Sequence, residues 1–214
     1  MNEAALREAI VAACRTMNAI GLNQGMAGNI SVRHGDAMLL TPSATPYDRM
    51  RPEQIAVMPI AGAAPDAVGP TKPSSEWQLH RDLLRARPDI GALVHAHAPH
   101  CTALSIARRG IPPCHYMVAT FGGEDVRCSG YETFGTASLS EVVVDAMRDR
   151  FACLMANHGL IAAGADLDQA MWRATELEAL AHQYLLSVAA GGAVLLRPSD
   201  IVAAREQFLA YRPN

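Results

Sequence analysis

Short apolar runs of strand length alternate along this chain with longer segments whose apolar residues recur every three or four positions. The clearest helical segment is 167–189, which carries alanine, leucine, methionine and valine on one face and ends at Gly191-Gly192. We predict strands at 28–33, 37–40, 55–59, 90–97, 151–156 and 160–163, and helices at 3–20, 74–87, from 99 onward, 139–149, 167–189 and 199–209. This interleaving is typical of an α/β domain with a central sheet and helical layers, and it leaves the strand order open.

Length and composition indicate a single globular domain over residues 1–214. Half of the 214 residues are apolar and 18% are charged, which suffices for a substantial core. The one stretch of linker-like composition, 61–73, is rich in alanine, glycine and proline, and we interpret it as a surface loop because neither flank is large enough to fold alone. The net charge of −3 provides no broad basic surface, so we do not expect nucleic acid as a partner.

From the sequence we expect neither a signal peptide nor a membrane-spanning segment. Charged residues at positions 3, 7 and 8 interrupt any apolar signal region, and no run approaches the ~18 apolar residues of a membrane span. Its five cysteines are scattered and form no C-x-x-C pair, which argues against both a disulfide framework and a thiolate metal site. We therefore expect reduced thiols in a cytoplasmic protein.

The strongest local signal is His95-Ala96-His97 at the end of an apolar run. Residues two apart on a strand point to the same face, so both imidazoles would project together, as a zinc-type metal requires. His158 follows a second buried strand and precedes Gly159, which places a third imidazole at another strand end. These histidines predict a metal site, and surface or turn histidines remain the alternative.

Two further segments have a possible chemical role. Ser74-Ser75-Glu76 stands at a predicted helix start, where unpaired amides favour an anion, and Ser75 with Gln78 fits a capping box. The alternative is an ordinary serine cap with a first-turn carboxylate, or a pair of Glu76 with His80. A glycine-containing loop at 25–29 can bring backbone amides close to a phosphate, but it lacks the spacing of a nucleotide motif, so an ordinary turn is the favoured interpretation. Three tyrosines are candidate proton donors only because they accompany these motifs, namely Tyr116, Tyr131 and Tyr211. A packing role is the alternative for each of them.

Taken together, these motifs resemble the class II aldolase/adducin family, and most closely its branch that cleaves L-fuculose 1-phosphate. The resemblance extends from the first helix to the last. The matching runs are Gly21-Leu22-Asn23-Gln24-Gly25, Gly28-Asn29-Ile30-Ser31-Val32-Arg33, Pro73-Ser74-Ser75-Glu76-Trp77, His95-Ala96-His97, His115-Tyr116-Met117, Thr133-Phe134-Gly135-Thr136 and Asn157-His158-Gly159-Leu160-Ile161-Ala162. So many ordered matches are specific for the family and less specific for the substrate.

The resemblance implies a role for each matching position. It implies one zinc ion per subunit on His95, His97 and His158, with other divalent metals also compatible with imidazole, and it makes Glu76 the acid/base. The positions that match phosphate-binding residues of the family are Gly28, Asn29, Ser43, Ala44, Ser74 and Ser75. Those that match residues placing the aldehyde part of the substrate are Tyr116, Phe134 and Tyr211.

The resemblance also implies a three-layer α/β/α domain around a mainly antiparallel sheet, assembled as a homotetramer in which the C-terminal tyrosine reaches a neighbouring subunit. Two positions depart from the family pattern. Ala44 stands where glycine is common, and Met26 replaces a threonine or serine beside the phosphate loop. Both departures keep the backbone amides while removing flexibility or a hydroxyl, and they bear on the choice of substrate more than on phosphate binding.

The activity implied is reversible, zinc-dependent cleavage of a ketose 1-phosphate into dihydroxyacetone phosphate and an aldehyde. Fuculose 1-phosphate is the first candidate substrate, and 5-deoxyribulose or 5-methylthioribulose 1-phosphate from a salvage pathway is the second. Three other activities of the family stay open: a pentulose-5-phosphate 4-epimerase, a sugar-phosphate dehydratase and a non-catalytic adducin-like module. Epimerases typically carry aspartate at the position of Glu76, dehydratases generally lack the Ser-Ser-Glu motif, and the adducin-like module lacks the histidine set.

Overall fold

A computed structural model of the protein describes residues 2–62 and 69–210. The strands are β1 (Asn29–His34), β2 (Ala37–Leu40), β3 (Ala56–Pro59), β4 (Ala92–Ala96), β5 (Ala152–Met155) and β6 (Gly159–Gly164). The α-helices are α1 (Glu3–Ala19), α2 (Trp77–Ala86), α3 (Pro99–Ile106), α4 (Ala137–Ala146), α5 (Leu167–Ala189) and α6 (Pro198–Ala210). Short 3-10 helices occur at Pro52–Gln54 and Tyr116–Phe121.

The six strands form one sheet in the order β3-β2-β1-β4-β6-β5, and every neighbouring pair is antiparallel. The predicted strands at 28–33 and 37–40 form a hairpin, because β1 pairs with β2 through a tight turn that brings His34 opposite Ala37. A longer connection carries the chain from β3 through α2 to β4, which pairs with the other side of β1. The centre of the sheet is therefore β1 and β4, which are distant in sequence.

Alternate side chains of the sheet enter two separate cores. On β4, Val94 packs with apolar residues of α1, α3 and α5, whereas Leu93 packs on the opposite face with residues of α2 and α4. A strand buried on both faces carries a continuous apolar run, as residues 90–94 do. The three-layer α/β/α architecture with an antiparallel sheet is thus confirmed, and the face that carries Leu93 also carries His95 two residues on.

Two predicted helix starts are wrong. Helix α2 begins at Trp77 with Glu76 at its N-cap position, not at the predicted Ser75–Gln78 box. The backbone N–H of Ser74 donates to Thr41 O at 3.0 Å, which holds this segment against the end of β2 and delays the helix. Helix α4 begins at Ala137 rather than at the predicted residue 139, because extended Thr136 caps it by accepting a hydrogen bond from the N–H of Leu139.

All five cysteines lie within the described residues and none is in a disulfide. Cys14, Cys101 and Cys153 are buried, and burial raises the pKa of the Cys14 thiol to about 12. These buried thiols are therefore protonated at neutral pH and act as small apolar core residues. Within residues 2–62 and 69–210, no helix is both long enough and apolar enough to cross a membrane.

Candidate active site

Three histidines meet where β4 ends beside the start of β6. The register pairs Ala96 with Leu160, so the turn that carries His158 lies next to the residues that follow β4. The ring centroids of His95, His97 and His158 are separated by 4.8 to 5.0 Å in all three pairs. One nitrogen from each ring lies within 4.8 Å of the other two. The antiparallel pairing of β4 with β6 thus brings His95 and His97 together with His158, which is distant in sequence, in one triangular cluster.

Hydrogen bonds fix two of these histidines. Nδ1 of His95 lies 2.7 Å from the carbonyl oxygen of Leu160, so this nitrogen carries the proton and Nε2 is left as an acceptor. The backbone N–H of His97 donates to Asn23 Oδ1 at 3.1 Å, which holds the chain just beyond β4. Such contacts set the orientation that a metal ligand needs.

Glu76 projects from the N-cap of α2 into the centre of the cluster. Its Oε2 lies 3.2 Å from Nε2 of His95, and its Oε1 lies 3.5 Å from Nε2 of His158. The side-chain amide of Asn29 donates to Oε2 at 2.8 Å. The register places Asn29 directly opposite His95 across the β1–β4 pair, so the sheet brings both partners to the same carboxylate.

This arrangement fits a bound cation. His95 Nε2 is an acceptor that faces a carboxylate oxygen, and two acceptors at this distance repel each other. Glu76 Oε1, His95 Nε2 and His97 Nε2 are buried and have no hydrogen-bond partner. Protonation does not supply the missing charge, since burial lowers the pKa of His95 to about 3 and that of His158 to about 4. A divalent metal between the nitrogens and the carboxylate would satisfy these atoms together.

A row of buried polar groups lies behind the carboxylate. His80 is fully buried, with Nε2 hydrogen-bonded to Asn29 Oδ1 and Nδ1 at 2.7 Å from Ser31 Oγ. Burial lowers the pKa of His80 to about 3, so its ring is neutral at physiological pH. The sequence prediction considered His80 only as a partner of Glu76, and it missed both this row and the role of Asn23. The strand register that brings these residues together could not be read from the sequence.

A cavity of about 390 Å³ opens beside the cluster. It holds ten of the predicted site residues in its walls, namely Gly28, Asn29, Ser43, Ala44, Ser74, Ser75, Glu76, His97, Phe134 and His158. His95 lies behind the wall with no exposed surface. Gly28 is tightly enclosed, because a Cβ at this position would lie 2.6 Å from the carbonyl oxygen of His95. The start of α2 therefore faces a space large enough for a small phosphorylated sugar.

The outer part of the cavity is formed by exposed side chains. Phe134 is 65% exposed, and Tyr131 and Met26 are about half exposed. Tyr116 lies elsewhere in this chain, where it stacks on Phe208 with ring centroids 5.9 Å apart. Tyr211 lies outside the described residues. The structure thus brings Tyr131 to the cavity, and it leaves Tyr116 away from it.

A larger groove of about 1280 Å³ lies elsewhere, between the segment around residues 109–113 and helix α4. Its lining contains charged side chains such as Arg127 and Asp149, which pair with each other at 3.3 Å. None of the predicted site residues lines it. Among the residues that the structure describes, His95, His97 and His158 form the one cluster suited to a metal, so the smaller cavity is the candidate active site.

Comparison with solved structures shows the same architecture. A structure of L-fuculose 1-phosphate aldolase matches with a TM-score of 0.90 and 33% identity over 95% of both chains. The L-fuculose-1-phosphate aldolase of Thermus thermophilus matches with a TM-score of 0.78 and 29% identity over 90% of this chain and all of that chain.

Sequence relatives agree with the structural ones. The chain is 45% identical to a 5-methylthioribulose-1-phosphate/5-deoxyribulose-1-phosphate aldolase of Rhodospirillum rubrum, over 98% of this chain and 94% of the relative. It is 43% identical to L-fuculose phosphate aldolase of Escherichia coli K12, over 96% of this chain and 95% of the relative. The family model described as "Class II Aldolase and Adducin N-terminal domain" matches residues 8–185. Because this family model covers most of the chain and the relatives align over nearly all of it, the chain belongs to the class II aldolase and adducin family.

Proposed function

We propose that this protein is a zinc-dependent aldolase that reversibly cleaves a ketose 1-phosphate into dihydroxyacetone phosphate and an aldehyde. The observation that carries the proposal is the cluster of three imidazoles and the Glu76 carboxylate beside an open cavity, in which Glu76 Oε1, His95 Nε2 and His97 Nε2 are buried without hydrogen-bond partners. Relatives that share more than two fifths of the sequence over nearly the whole chain are aldolases of this kind.

His95, His97 and His158 would hold the metal. Three neutral imidazoles with room for substrate oxygens are typical of catalytic zinc, and cobalt, manganese or iron also accept such ligands. A bound zinc ion would supply Lewis-acid chemistry, drawing electrons from the substrate carbonyl as the C3–C4 bond breaks. The Nδ1–H of His95 donates to Leu160 O, and this hydrogen bond fixes the ring orientation in which Nε2 would bind the metal.

Glu76 would transfer the proton at carbon 3 of the substrate. In cleavage the carboxyl group would deliver a proton to carbon 3 of the triose product, and in synthesis the carboxylate would remove it. Its Oε2 is held by Asn29 at 2.8 Å, whereas Oε1 has no hydrogen-bond partner. One oxygen is therefore fixed by the protein and the other is available for chemistry.

The start of α2 and the adjoining loops would bind the phosphate. Ser74 and Ser75 line the cavity just before the helix, where the positive end of the helix dipole favours an anion. Asn29 offers a second amide hydrogen beyond the one that Glu76 accepts. The loop residues Gly28, Ser43 and Ala44 complete this side of the cavity.

The aldehyde end of the substrate would lie toward Phe134. Fuculose 1-phosphate, 5-deoxyribulose 1-phosphate and 5-methylthioribulose 1-phosphate differ only at the end remote from phosphate. Relatives with names for each of these activities match this chain at comparable identity, so the aldehyde stays open among the three. In a homotetramer, Tyr116 or Tyr211 from a neighbouring subunit would exchange the proton on the aldehyde oxygen. The phenolate would accept the C4 hydroxyl proton in cleavage, and the phenol would donate it to the aldehyde oxygen in synthesis. The exposed positions of Phe134 and Tyr116 support such an assembly.

A cytoplasmic location is part of the proposal. It is supported by the five unpaired cysteines, three of them buried. Cytoplasmic thiols are kept reduced, whereas oxidising compartments favour disulfides.

Release of dihydroxyacetone phosphate from the three ketose 1-phosphates tests the proposed function. We expect zinc-loaded protein to release the triose from at least one of them, chelator to abolish release, and added zinc to restore it. The ranking of kcat/KM then identifies the aldehyde. Metal-loaded protein that releases no triose from any of the three would contradict the proposal, and recovery of an epimerised or dehydrated sugar phosphate would identify the replacement activity.

A further inference from the structure

A continuous row of hydrogen bonds runs from β1 through α2 to the Glu76 carboxylate. Ser31 Oγ lies 2.7 Å from His80 Nδ1, His80 Nε2 contacts Asn29 Oδ1, and Asn29 Nδ2 donates to Glu76 Oε2 at 2.8 Å. All four residues are at least nine-tenths buried, and His80 has no exposed surface. Of the four, Asn29 and Glu76 reach the cavity.

The carboxylate fixes the direction of every bond in this row. A carboxylate accepts only, so Asn29 must present its NH₂ group to Glu76 and its carbonyl oxygen to His80. That oxygen also accepts only, so the proton of the neutral His80 ring is on Nε2. Nδ1 is then an acceptor and receives the hydroxyl proton of Ser31. Rotating the Asn29 amide by a half turn would place its oxygen against Oε2 and lose the bonds at both ends.

His80 lies outside the cavity walls and cannot touch substrate, so any effect it has on the reaction passes through Asn29. The Asn29 amide is the group that holds Oε2 by donating a hydrogen bond, while Oε1 has none. Loss of the donor at His80 Nε2 would leave the Asn29 amide free to rotate. The carboxylate would then lose its orientation relative to the reacting carbon, and errors of about 1 Å in such positions cost roughly 100-fold in rate.

We propose that His80, oriented by Ser31, is a positioning residue that holds the Asn29 amide in the one orientation that fixes Glu76 for proton transfer. This inference rests on the proposed function for the role of Glu76, and it adds a residue remote from the substrate to that reaction. The hydrogen bonds of His80 also explain why β1 carries two polar residues, Asn29 and Ser31, on a face where the surrounding side chains of the sheet are apolar.

Two matched substitutions separate the positioning role from general packing. His80→Gln retains an amide donor near the position of Nε2, whereas His80→Asn is shorter and retains a polar group only near Nδ1. We expect kcat to fall about 10-fold to 100-fold in His80→Asn, a range typical of residues that orient catalytic ligands, and markedly less in His80→Gln. Equal losses in both variants would overturn the proposal, and so would a larger loss in His80→Gln. His34→Gln, at the far end of β1, serves as a control for unaltered kcat.

A double-mutant cycle tests whether His80 acts through Glu76. In a Glu76→Gln background, we expect His80→Asn to change the residual kcat by less than about twofold, because residues of one network are non-additive. A full 10-fold to 100-fold loss in that background would overturn the proposal, since it would show an effect independent of the carboxylate. Zinc content and melting temperature, measured for every variant, identify losses that come from unfolding.

The His80 tautomer provides a readout that needs no activity. In ¹⁵N–¹H correlation spectra of the zinc-loaded wild-type protein, with His80 assigned by comparison with His80→Gln, we expect a neutral ring with the proton on Nε2. A proton on Nδ1, or a doubly protonated ring, would overturn the proposal. If the wild-type protein released triose from none of the three sugar phosphates, the proposed function would fail, and the tautomer would still decide whether His80 holds Asn29.

Discussion

The inner wall of the cavity and its rim are built in different ways. The inner wall here means Asn29 and Glu76, which line the cavity, together with His80 and His95 directly behind them. These four residues are at most 5% exposed, and they contact one another directly or through one intermediate. The rim, defined as Met26, Tyr131 and Phe134, is between 48% and 65% exposed. The wall has fixed partners for most of its polar atoms, whereas the rim side chains extend toward solvent.

This difference comes from the secondary structure beneath each region. Asn29 and His95 are directly opposite in the β1–β4 ladder, and His80 lies one turn into α2 from Glu76. Met26, Tyr131 and Phe134 lie in segments outside strands and helices. Rigid elements position catalytic groups accurately, and loops tolerate variation. We infer that the wall determines the reaction and the rim determines which aldehyde is accepted.

The largest expected effect on kcat is the difference between substitutions of two glutamates that line the same cavity. Glu76→Gln should retain zinc and lower kcat by about 10²-fold to 10⁴-fold, the typical contribution of a general acid–base group. Glu132→Gln changes the same side chain at an exposed position of the cavity lining and should cost at least tenfold less. Metal analysis and steady-state kinetics with the best ketose 1-phosphate measure both. Activity retained in Glu76→Gln with full zinc occupancy would remove Glu76 from this role.

The wall could be predicted in part because strand geometry has a simple period. His95 and His97 are two apart at the end of an apolar run, which was enough to place them on one face before the fold was known. That His158 joins them depends on the pairing of β4 with β6, and the order of the strands follows from packing of residues far apart in the chain. Without the family resemblance, the sequence left this third histidine undecided.

Other features were out of reach for physical reasons. His80 is four residues from Glu76, a spacing that suggests a pair on one helix. Its ring instead contacts Ser31 and Asn29, which lie on a strand about fifty residues earlier in the chain. Glu76 was expected inside the helix and lies at its N-cap, because the preceding segment is bound to the end of β2. Tyr116 is remote from the cavity in the single chain, and Tyr211 lies outside the described residues. Their proposed roles would require a neighbouring subunit, which the sequence of one chain does not specify.

A smaller effect is expected at the rim. Phe134→Ala should change the ratio of kcat/KM between 5-methylthioribulose 1-phosphate and fuculose 1-phosphate by roughly 10-fold, since an apolar contact of this size contributes ~1–3 kcal/mol to discrimination. Phe134→Leu keeps an apolar side chain and should change the ratio less. Kinetics with both substrates measure the ratio. An equal loss of more than about 100-fold on both substrates would contradict the division between wall and rim, because it would give Phe134 a part in the reaction itself.

The smallest effect concerns Ala44, which lines the phosphate side of the cavity with φ of +48°, in the left-handed region that disfavours residues with a Cβ. This conformation costs roughly 1–2 kcal/mol in a residue other than glycine, whereas glycine increases the entropy of the unfolded chain by about 0.4–1 kcal/mol. Relief of strain therefore exceeds the entropic loss, and Ala44→Gly should raise the free energy of unfolding by about 0.5 kcal/mol. Urea denaturation at one fixed protein concentration measures this difference.

The same change in an ordinary helix should have the opposite sign. Ala12 is exposed in the middle of α1, and Ala12→Gly should lower the free energy of unfolding by about 1 kcal/mol. If Ala44→Gly destabilises the protein as much as Ala12→Gly does, the left-handed conformation of Ala44 is not a source of strain. If Ala44→Gly stabilises the protein and also raises KM for the sugar phosphate, then the alanine rigidifies the phosphate loop at a cost in stability. That result would show that the phosphate side of the cavity is rigid, as the inner wall is. Only the rim would then adapt to different substrates.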